Sequence, residues 1–212
     1  MLGQNNMIVI IDYKSGNLRS VAGAVERVGC IPIISNRIAD LEKAEKLILP
    51  GVGAFGDGVV NLRRLGLIGL LNDLVMHHKK PILGICLGAQ LLAKGSEEFG
   101  YHEGLGFIDA TVVKIEPNVP SLLVPHVGWN NLIQKKDNVL FKDIPEAALF
   151  YYVHSYHIKC NNSNDIVTGK CEYGIELTAS FQQENVYGTQ FHPEKSQLYG
   201  LYLLNNFLNK NI

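Results

Sequence analysis

Short continuous runs of apolar residues alternate with segments of helical periodicity through the first half of the chain. The apolar runs have the length and β-branched character of strands covered on both faces, and they lie at residues 7–11, 31–34, 46–49 and 82–85. Helical spacing connects these runs, at residues 18–28, 40–45 and 59–80. This alternating order predicts an α/β fold with a mainly parallel central sheet flanked by helices.

The second half of the chain changes to shorter strand-like runs, separated by turns rich in Asn, Gly and Asp. These runs lie at residues 107–116, 129–134, 148–152, 166–171, 177–182 and 186–190. An amphipathic pattern at residues 198–209 predicts a closing helix. Since no repeat or linker interrupts this order, we expect a single domain over residues 1–212, with an antiparallel extension in its second half.

Composition narrows the possible partners and compartment. The chain has 212 residues, of which 47% are hydrophobic, and its formal net charge is −1. This balance supplies a core but no strong field for nucleic acid or an anionic membrane. No apolar run approaches the ~20 residues that span a bilayer, and no signal peptide is visible. We therefore expect a cytoplasmic protein without a membrane or nucleic-acid partner.

Cys86 is the residue whose context most clearly indicates chemistry. It follows the predicted strand 82–85, lies between Gly84 and Gly88, and precedes a predicted helix at residues 89–94. A helix N-terminus favours a thiolate, and small neighbours permit the sharp strand-to-helix turn that exposes a nucleophile. The alternative is a core cysteine at a strand end, since buried cysteines are common.

His192 and Glu194 supply the other parts of a nucleophilic triad. A cysteine nucleophile needs a base that takes up and later returns a proton, and the histidine needs a carboxylate that holds its orientation. The segment His192-Pro193-Glu194 offers both groups, with the proline stiffening the turn between them. The alternative is an ordinary surface turn after a strand.

A glycine-rich segment at residues 50–58 is predicted to be a loop after the strand at 46–49. Its residues Gly51, Val52 and Gly53 could direct backbone N–H groups into a cleft, and the N–H of Leu87 would be a second donor. Such donors stabilise the oxyanion of an acyl-transfer intermediate. The alternative is a plain βα loop; the segment lacks the Lys-Ser/Thr ending of a phosphate-binding loop.

A metal site is a competing interpretation of the same residues. The triad residues are possible zinc ligands, and His154 and His157 have a spacing of three. That pair lies in a strand-like stretch, which does not bring both rings to one helical face. We therefore expect neither a metal nor another cofactor.

Together the segments 50–53, 84–90 and 190–194 resemble motifs of the class I (triad) glutamine amidotransferase family. The resemblance covers nearly the whole chain. It implies a flavodoxin-like α/β fold and hydrolysis of L-glutamine, in which Cys86 attacks the side-chain amide, His192 shuttles the proton and Glu194 orients His192. It also implies that Gln90 and Glu98 hold the glutamine, and that Ser155 and Tyr156 contact its carboxylate through their backbone.

Within this family, four segments are similar to glutaminase subunits of imidazole glycerol phosphate synthases: 11–18, 50–55, 125–130 and 152–156. This likeness implies a heterodimer in which ammonia passes to a (β/α)8-barrel cyclase. The cyclase forms imidazole glycerol phosphate and aminoimidazole carboxamide ribotide (AICAR) in histidine biosynthesis. Positions that face the cyclase are matched by Asn17, His126, Trp129 and Lys195. From sequence alone, Trp129 could equally be a half-buried core residue.

Three departures from the subfamily pattern keep alternatives open. Lys14, Ala89 and the pair Leu123-Val124 stand where other residues are more frequent. A paralogous glutaminase that feeds ammonia to a nucleotide-sugar amidotransfer for surface polysaccharide could differ in such places. Two functions of other classes also remain, a stand-alone cysteine hydrolase and a non-catalytic binding module.

Overall fold

The structure is a computed structural model that describes residues 7–134, 138–161 and 166–209. Strands of the first half are β1 (Ile8–Ile11), β2 (Pro32–Ser35), β3 (Lys46–Gly51) and β4 (Ile82–Cys86). Helices that connect or follow them are α1 (Leu18–Arg27), α2 (Ile38–Lys43), α3 (Phe55–Arg64), α4 (Leu67–Asn72), a π-helical turn (Asp73–His77) and α5 (Leu87–Leu91).

Strands dominate the second half of the described chain. They are β5 (Ala93–Ser96), β6 (His102–Glu103), β7 (Ile108–Lys114), β8 (His126–Asn131), β9 (Ile133–Gln134), β10 (Leu149–His154), β11 (Tyr156–Cys160), β12 (Val167–Glu172), β13 (Glu176–Gln183) and β14 (Val186–Thr189). Two short 3-10 helices (Val139–Phe141 and Pro193–Lys195) and the closing helix α6 (Gln197–Asn209) complete these elements.

The central sheet has the strand order β2-β1-β3-β4-β14-β13-β12-β9. Neighbours from β2 to β14 pair in parallel, and those from β14 to β9 pair antiparallel. Two smaller sheets, β10-β8 and β11-β7-β5-β6, lie outside it. The predicted fold class, a mainly parallel core with an antiparallel extension, is confirmed.

Two apolar clusters cover the central sheet, which explains why its inner strands read as continuous apolar runs. Side chains alternate between the faces of a strand. In β1, Val9 and Ile11 join one cluster, while Ile8 and Ile10 join the other. All four are fully buried. Within the described ranges, no helix is long and apolar enough to cross a membrane.

Several predicted boundaries were wrong. Helix α3 begins at Phe55, inside the predicted loop, because the Glu98 carboxylate accepts a hydrogen bond from the Phe55 N–H at 2.7 Å. The predicted helix at 59–80 breaks at Gly66, which has a φ of 70°. The helix expected at 89–94 spans Leu87–Leu91 instead, and the chain then enters β5.

Candidate active site

Cys86 lies at a strand-to-helix elbow. It ends β4 and precedes α5, with a φ of 53°. Few residues other than glycine adopt this left-handed region, and strained backbone of this kind concentrates at functional sites. The elbow is tight, because a Cβ on Gly88 would overlap the carbonyl oxygen of Leu49 in the neighbouring strand. The sequence therefore builds a constrained turn at its candidate nucleophile.

His192 and Glu194 lie at the same edge of the sheet as Cys86. They follow β14, which pairs in parallel with β4, so both strands end at this carboxyl edge. The imidazole Nδ1 of His192 and Oε1 of Glu194 are 2.8 Å apart, and each side chain is 2% exposed. Because Nδ1 faces the carboxylate, Nε2 is left for the thiol side.

The pKa of His192 is raised above its ordinary value although the ring is buried. Burial lowers this pKa, but the Cys86 thiol and then the Glu194 carboxylate outweigh burial and raise it to about 9. Nε2 forms no hydrogen bond of regular geometry in the described structure, although the thiol is near enough to act on the pKa. The imidazole is thus buried, oriented by a carboxylate and open toward the nucleophile.

Two other groups contact the Cys86 sulfur. The thiol donates toward the backbone carbonyl of Val153 at 4.0 Å, and the amide Nε2 of Gln190 donates to the sulfur at 3.7 Å. Gln190 belongs to the family-like motif, but no role was predicted for it. Its spacing from His192 was the available signal, because residues two apart on an extended chain point to the same side.

The segment Gly51–Gly53 runs beside the nucleophile. Gly51 pairs with Cys86 in the β3–β4 register. A Cβ at Gly51 would come within 2.9 Å of the Leu87 Cβ and would overlap the buried hydroxyl of Tyr13. Only glycine fits this close approach. The predicted oxyanion residues are therefore next to Cys86, as their proposed role requires.

A cavity of about 460 Å³ opens over Cys86. Nine predicted site residues line it: Val52, Gly53, Cys86, Leu87, Gln90, Glu98, Ser155, Tyr156 and Lys195. This volume falls in the usual range for small-molecule sites. The arrangement can bind a small polar molecule beside a nucleophile and a histidine–carboxylate pair.

The sequence model of the family described as "Glutamine amidotransferase class-I" matches residues 9–211. The chain belongs to this family. Among curated proteins, it is 49% identical over 201 residues to the imidazole glycerol phosphate synthase subunit HisH 1 of Campylobacter jejuni subsp. jejuni serotype O:23/36 (strain 81-176), covering 95% of this chain and 98% of the relative. It is 44% identical over 204 residues to the HisH subunit of Methanothermobacter thermautotrophicus, covering 95% of this chain and 98% of that protein.

Solved structures of lower identity share the fold of this amidotransferase. PurLQS from Thermotoga maritima matches with a TM-score of 0.72 at 19% identity, over 97% of this chain and 99% of that one. A glutamine amidotransferase from the same organism matches with a TM-score of 0.62 at 17% identity, over 91% of this chain and 77% of that one. At these identities the likeness concerns the fold alone.

The residues predicted to hold glutamine are already bonded within the amidotransferase. Nε2 of Gln90 donates to the backbone oxygen of Tyr156 at 2.9 Å and to Oε1 of Gln190 at 3.1 Å. Glu98 caps helix α3 through its bond to the Phe55 N–H. Both side chains are thus held in place at the cavity wall before any substrate enters.

The four positions expected to face a partner differ in their surroundings. Asn17 is exposed and caps helix α1 by accepting from the Ser20 N–H at 3.3 Å. Trp129 is 45% exposed, so it is not a core residue of this chain. The ammonium of Lys195 lies 5.6 Å from the centre of the Tyr151 ring, at the cavity.

His126 is the exception among these four positions. Its side chain is only 3% exposed, and its ring stacks with Tyr152 and Tyr173 at centroid distances of 4.9 Å and 4.0 Å. The imidazole therefore does not itself form the surface that was expected from the sequence. Alternation along β8 explains the difference, since His126 points inward while Val127 and Trp129 are exposed.

Proposed function

We propose that this chain is the glutaminase subunit of an imidazole glycerol phosphate synthase. It hydrolyses L-glutamine to glutamate and ammonia, and a separate cyclase subunit uses the ammonia. The observation that carries the proposal is the Cys86 elbow, facing the cavity and accompanied by the buried His192–Glu194 pair. The choice of synthase is supported by relatives that match nearly the whole chain and are named as subunits of imidazole glycerol phosphate synthase.

The chemistry follows from the positions of these groups. The Cys86 thiolate attacks the side-chain carbonyl carbon of glutamine, and backbone N–H groups of Leu87 and the Gly51–Gly53 segment stabilise the oxyanion. His192 donates a proton to the leaving nitrogen as the C–N bond breaks. It then takes a proton from the water that hydrolyses the thioester, while Glu194 keeps Nε2 directed at the reaction.

The substrate and partner are assigned by position. Gln90, Glu98 and the backbone of Ser155 and Tyr156 hold glutamine in the cavity over Cys86. A barrel-shaped cyclase binds the face that carries Asn17 and Trp129. Lys195, which lines the cavity, is assigned to the partner-facing residues with them. We take residues 1–212 as one glutaminase domain that acts in the cytoplasm.

A second candidate function concerns the acceptor alone. Several relatives carry the numbers 1 or 2 in their names, as in the HisH 2 subunit of Pseudomonas aeruginosa, to which this chain is 45% identical. A numbered copy can serve a different acceptor, such as a nucleotide sugar. The glutaminase chemistry would be the same in both cases, so only the partner and its substrate distinguish them.

The test compares Cys86→Ala with Cys30→Ala, a partly exposed free thiol outside the cavity. Each variant is mixed with the barrel cyclase from the same organism and the cyclase ribonucleotide. We expect Cys86→Ala to lose glutamine-dependent product formation by at least about 10³-fold, because the covalent step is gone. Ammonia-dependent formation should be unchanged, as should both activities of Cys30→Ala.

Two results would contradict the proposal. Glutamine-dependent turnover by Cys86→Ala would rule out a thioester intermediate at Cys86. Full glutamine hydrolysis without any cyclase would instead favour a stand-alone hydrolase. Product formation only with a nucleotide-sugar amidotransferase would support the second candidate.

A further inference from the structure

Gln190 is a buried amide that the chemistry above leaves without a role. It is 1% exposed and directly follows β14. Its backbone N–H donates to the Ala179 carbonyl at 2.8 Å, which fixes the main chain at this point. The side chain lies beside the Cys86 sulfur, between the nucleophile and the substrate-side residue Gln90.

The backbone oxygen of Tyr156 determines the direction of each hydrogen bond around Gln190. The backbone oxygen of Tyr156 can only accept, so the Gln90 atom 2.9 Å from it must be the amide nitrogen. That nitrogen also lies 3.1 Å from the Gln190 side chain, which must therefore present its oxygen to Gln90. The Gln190 nitrogen then faces the sulfur.

Two histidines form a second series of hydrogen bonds that ends on the Tyr156 carbonyl. These bonds fix the position of the carbonyl that orients the Gln90 and Gln190 amides. Nδ1 of His154 lies 2.9 Å from the Tyr156 oxygen and must donate to it. Its Nε2 then accepts from Nδ1 of His126 at 3.1 Å. Burial lowers the pKa of His126 to about 4 and that of His154 to about 3, so both rings are neutral and this pattern is stable at neutral pH. The carbonyl that orients the two amides is thus held from both sides.

We propose that Gln190 is a positioning residue for the Cys86 sulfur. Its amide N–H donates to the sulfur whenever the sulfur carries negative charge, before attack on glutamine and again when the thiolate leaves the thioester. Gln90, locked by Tyr156, prevents the Gln190 amide from turning its oxygen toward the sulfur. The inference rests on the proposed function only in taking Cys86 as the nucleophile.

A purely structural role for Gln190 makes a different prediction. A buried amide that only fills space and satisfies Gln90 would affect folding but not the charge state of the thiol. A donor to the sulfur makes the thiolate easier to form, so its removal moves thiolate formation to higher pH. The readout must therefore follow the sulfur rather than stability.

The experiment measures the rate of Cys86 alkylation by iodoacetamide against pH, in the isolated chain without glutamine. Gln190→Met removes the donor and keeps the volume, and Gln190→Glu replaces it with an acceptor. We expect alkylation at pH 7 to slow by about ten-fold in Gln190→Met, the scale of one hydrogen bond to a charged atom. It should slow further in Gln190→Glu, and the profile should move to higher pH in both.

Gln182→Met is the matched control. This partly buried amide on β13 donates to the Tyr187 hydroxyl at 3.1 Å, away from the sulfur, and its loss should leave the alkylation profile unchanged. A Cys86→Ala background corrects for alkylation of the other thiols. Thermal unfolding of all variants identifies any that fail to fold. If a Gln190 variant fails to fold, Gln190→Asn is used in its place.

Two outcomes would overturn the inference. One is a folded Gln190→Met with the wild-type alkylation profile. The other is equal slowing in Gln190→Met and Gln182→Met. Because alkylation requires neither glutamine nor a cyclase, these outcomes are separate from a failure of the proposed function. With the cyclase present, the loss in Gln190→Met should fall on kcat rather than KM, since the amide acts on the sulfur and not on the substrate.

Discussion

Buried histidines occur in two regions of the molecule, and their pKa values move in opposite directions. At the carboxyl edge of the central sheet, the pKa of His192 is raised to about 9. In the antiparallel strand pairs β8–β10 and β7–β11 of the smaller sheets (the antiparallel layer), burial lowers the pKa of His126 to about 4, of His154 to about 3 and of His157 to about 4. Since all four rings are buried, burial alone does not decide the direction.

The partners of His192, His126 and His154 explain the difference between these rings. His192 lies 2.8 Å from the carboxylate of Glu194 and beside a thiol, and both favour the imidazolium. His154 donates to a backbone carbonyl and accepts from another neutral histidine. Over the described ranges, no ion pair joins His126 or His154 to an acidic side chain. A carboxylate and a thiol favour the charged ring of His192, whereas His126 and His154 are neutral rings in hydrogen bonds of fixed direction.

The largest effect expected on the contrast between the two regions comes from Glu194→Gln, which removes the carboxylate that sets His192 apart. The pKa of His192 should fall, because burial then acts with less opposition. The glutamine amide oxygen introduced at position 194 can still accept from Nδ1 but carries no charge to stabilise the imidazolium, so glutamine-dependent turnover should drop by roughly 10²-fold. Steady-state assays with the cyclase and NMR titration of His192 measure the two effects.

His157→Gln is the control for that experiment, because it removes a buried histidine outside the cavity. Its turnover should stay within about three-fold of wild type. An unchanged His192 titration in Glu194→Gln would show that the carboxylate is not what raises the pKa. An equal loss in both variants would mean that the activity reports only on the fold.

The next effect is on stability at acidic pH. Below about pH 6.5, the ordinary pKa of histidine, His126, His154 and His157 bind protons in the unfolded chain. In the folded chain their buried rings stay neutral. Their contribution to the free energy of unfolding is therefore complete above about pH 6.5 and is lost as pH falls toward 4. For His192 the sign is opposite, and its contribution is complete below about pH 6.5 and lost as pH rises toward 9.

Urea unfolding at several pH values measures this balance. Each histidine with a lowered pKa should reduce the free energy of unfolding by about 1 kcal/mol as the pH falls from 7.5 to 5.5. His154→Gln should reduce that acid-side loss by about the same amount, and His157→Gln should do the same. An acid-side slope that is identical in His154→Gln and wild type would contradict a neutral, buried His154.

The contrast between the regions also shows what the sequence could and could not predict. Strands β1, β3 and β4 were predicted because both faces are buried and their residues form continuous apolar runs. Cys86, His192 and Glu194 could be grouped because a thiol, an imidazole and a carboxylate are the parts of a nucleophilic triad. The parallel pairing of β14 with β4, which brings them to one edge, was not predicted. Their catalytic roles, and the extent of the domain, remain predictions that rest on the family resemblance and the geometry.

Features that depend on distant neighbours were missed. Helix α3 begins early because Glu98 caps it from 43 positions away along the chain. Strand β11 was not predicted as a separate strand, although residues 154–157 were described as strand-like, since Ser155 alone separates it from β10. The inward position of His126 depends on the pleat of β8, and the donor role of the Gln190 amide depends on the carbonyl of Tyr156 in another sheet. None of these relations leaves a local pattern in the sequence.

The smallest expected effect comes from giving the antiparallel layer a carboxylate of its own. Nδ2 of Asn130 lies 3.4 Å from Nε2 of His126, so Asn130→Asp places an acidic oxygen beside that ring. The pKa of His126 should rise from about 4 toward its ordinary value. The rise should be smaller than the fall of His192 in Glu194→Gln, because residue 130 is partly exposed and its charge is screened.

NMR titration of His126 measures the shift, and Asn131→Asp is the control, since that exposed side chain follows on the opposite face of β8. A rise in Asn130→Asp but not in Asn131→Asp would show that a facing carboxylate is sufficient to reverse the direction set by burial. If the pKa of His126 stays near 4 in Asn130→Asp, burial dominates in this layer. The raised pKa of His192 would then require the Cys86 thiol as well as Glu194.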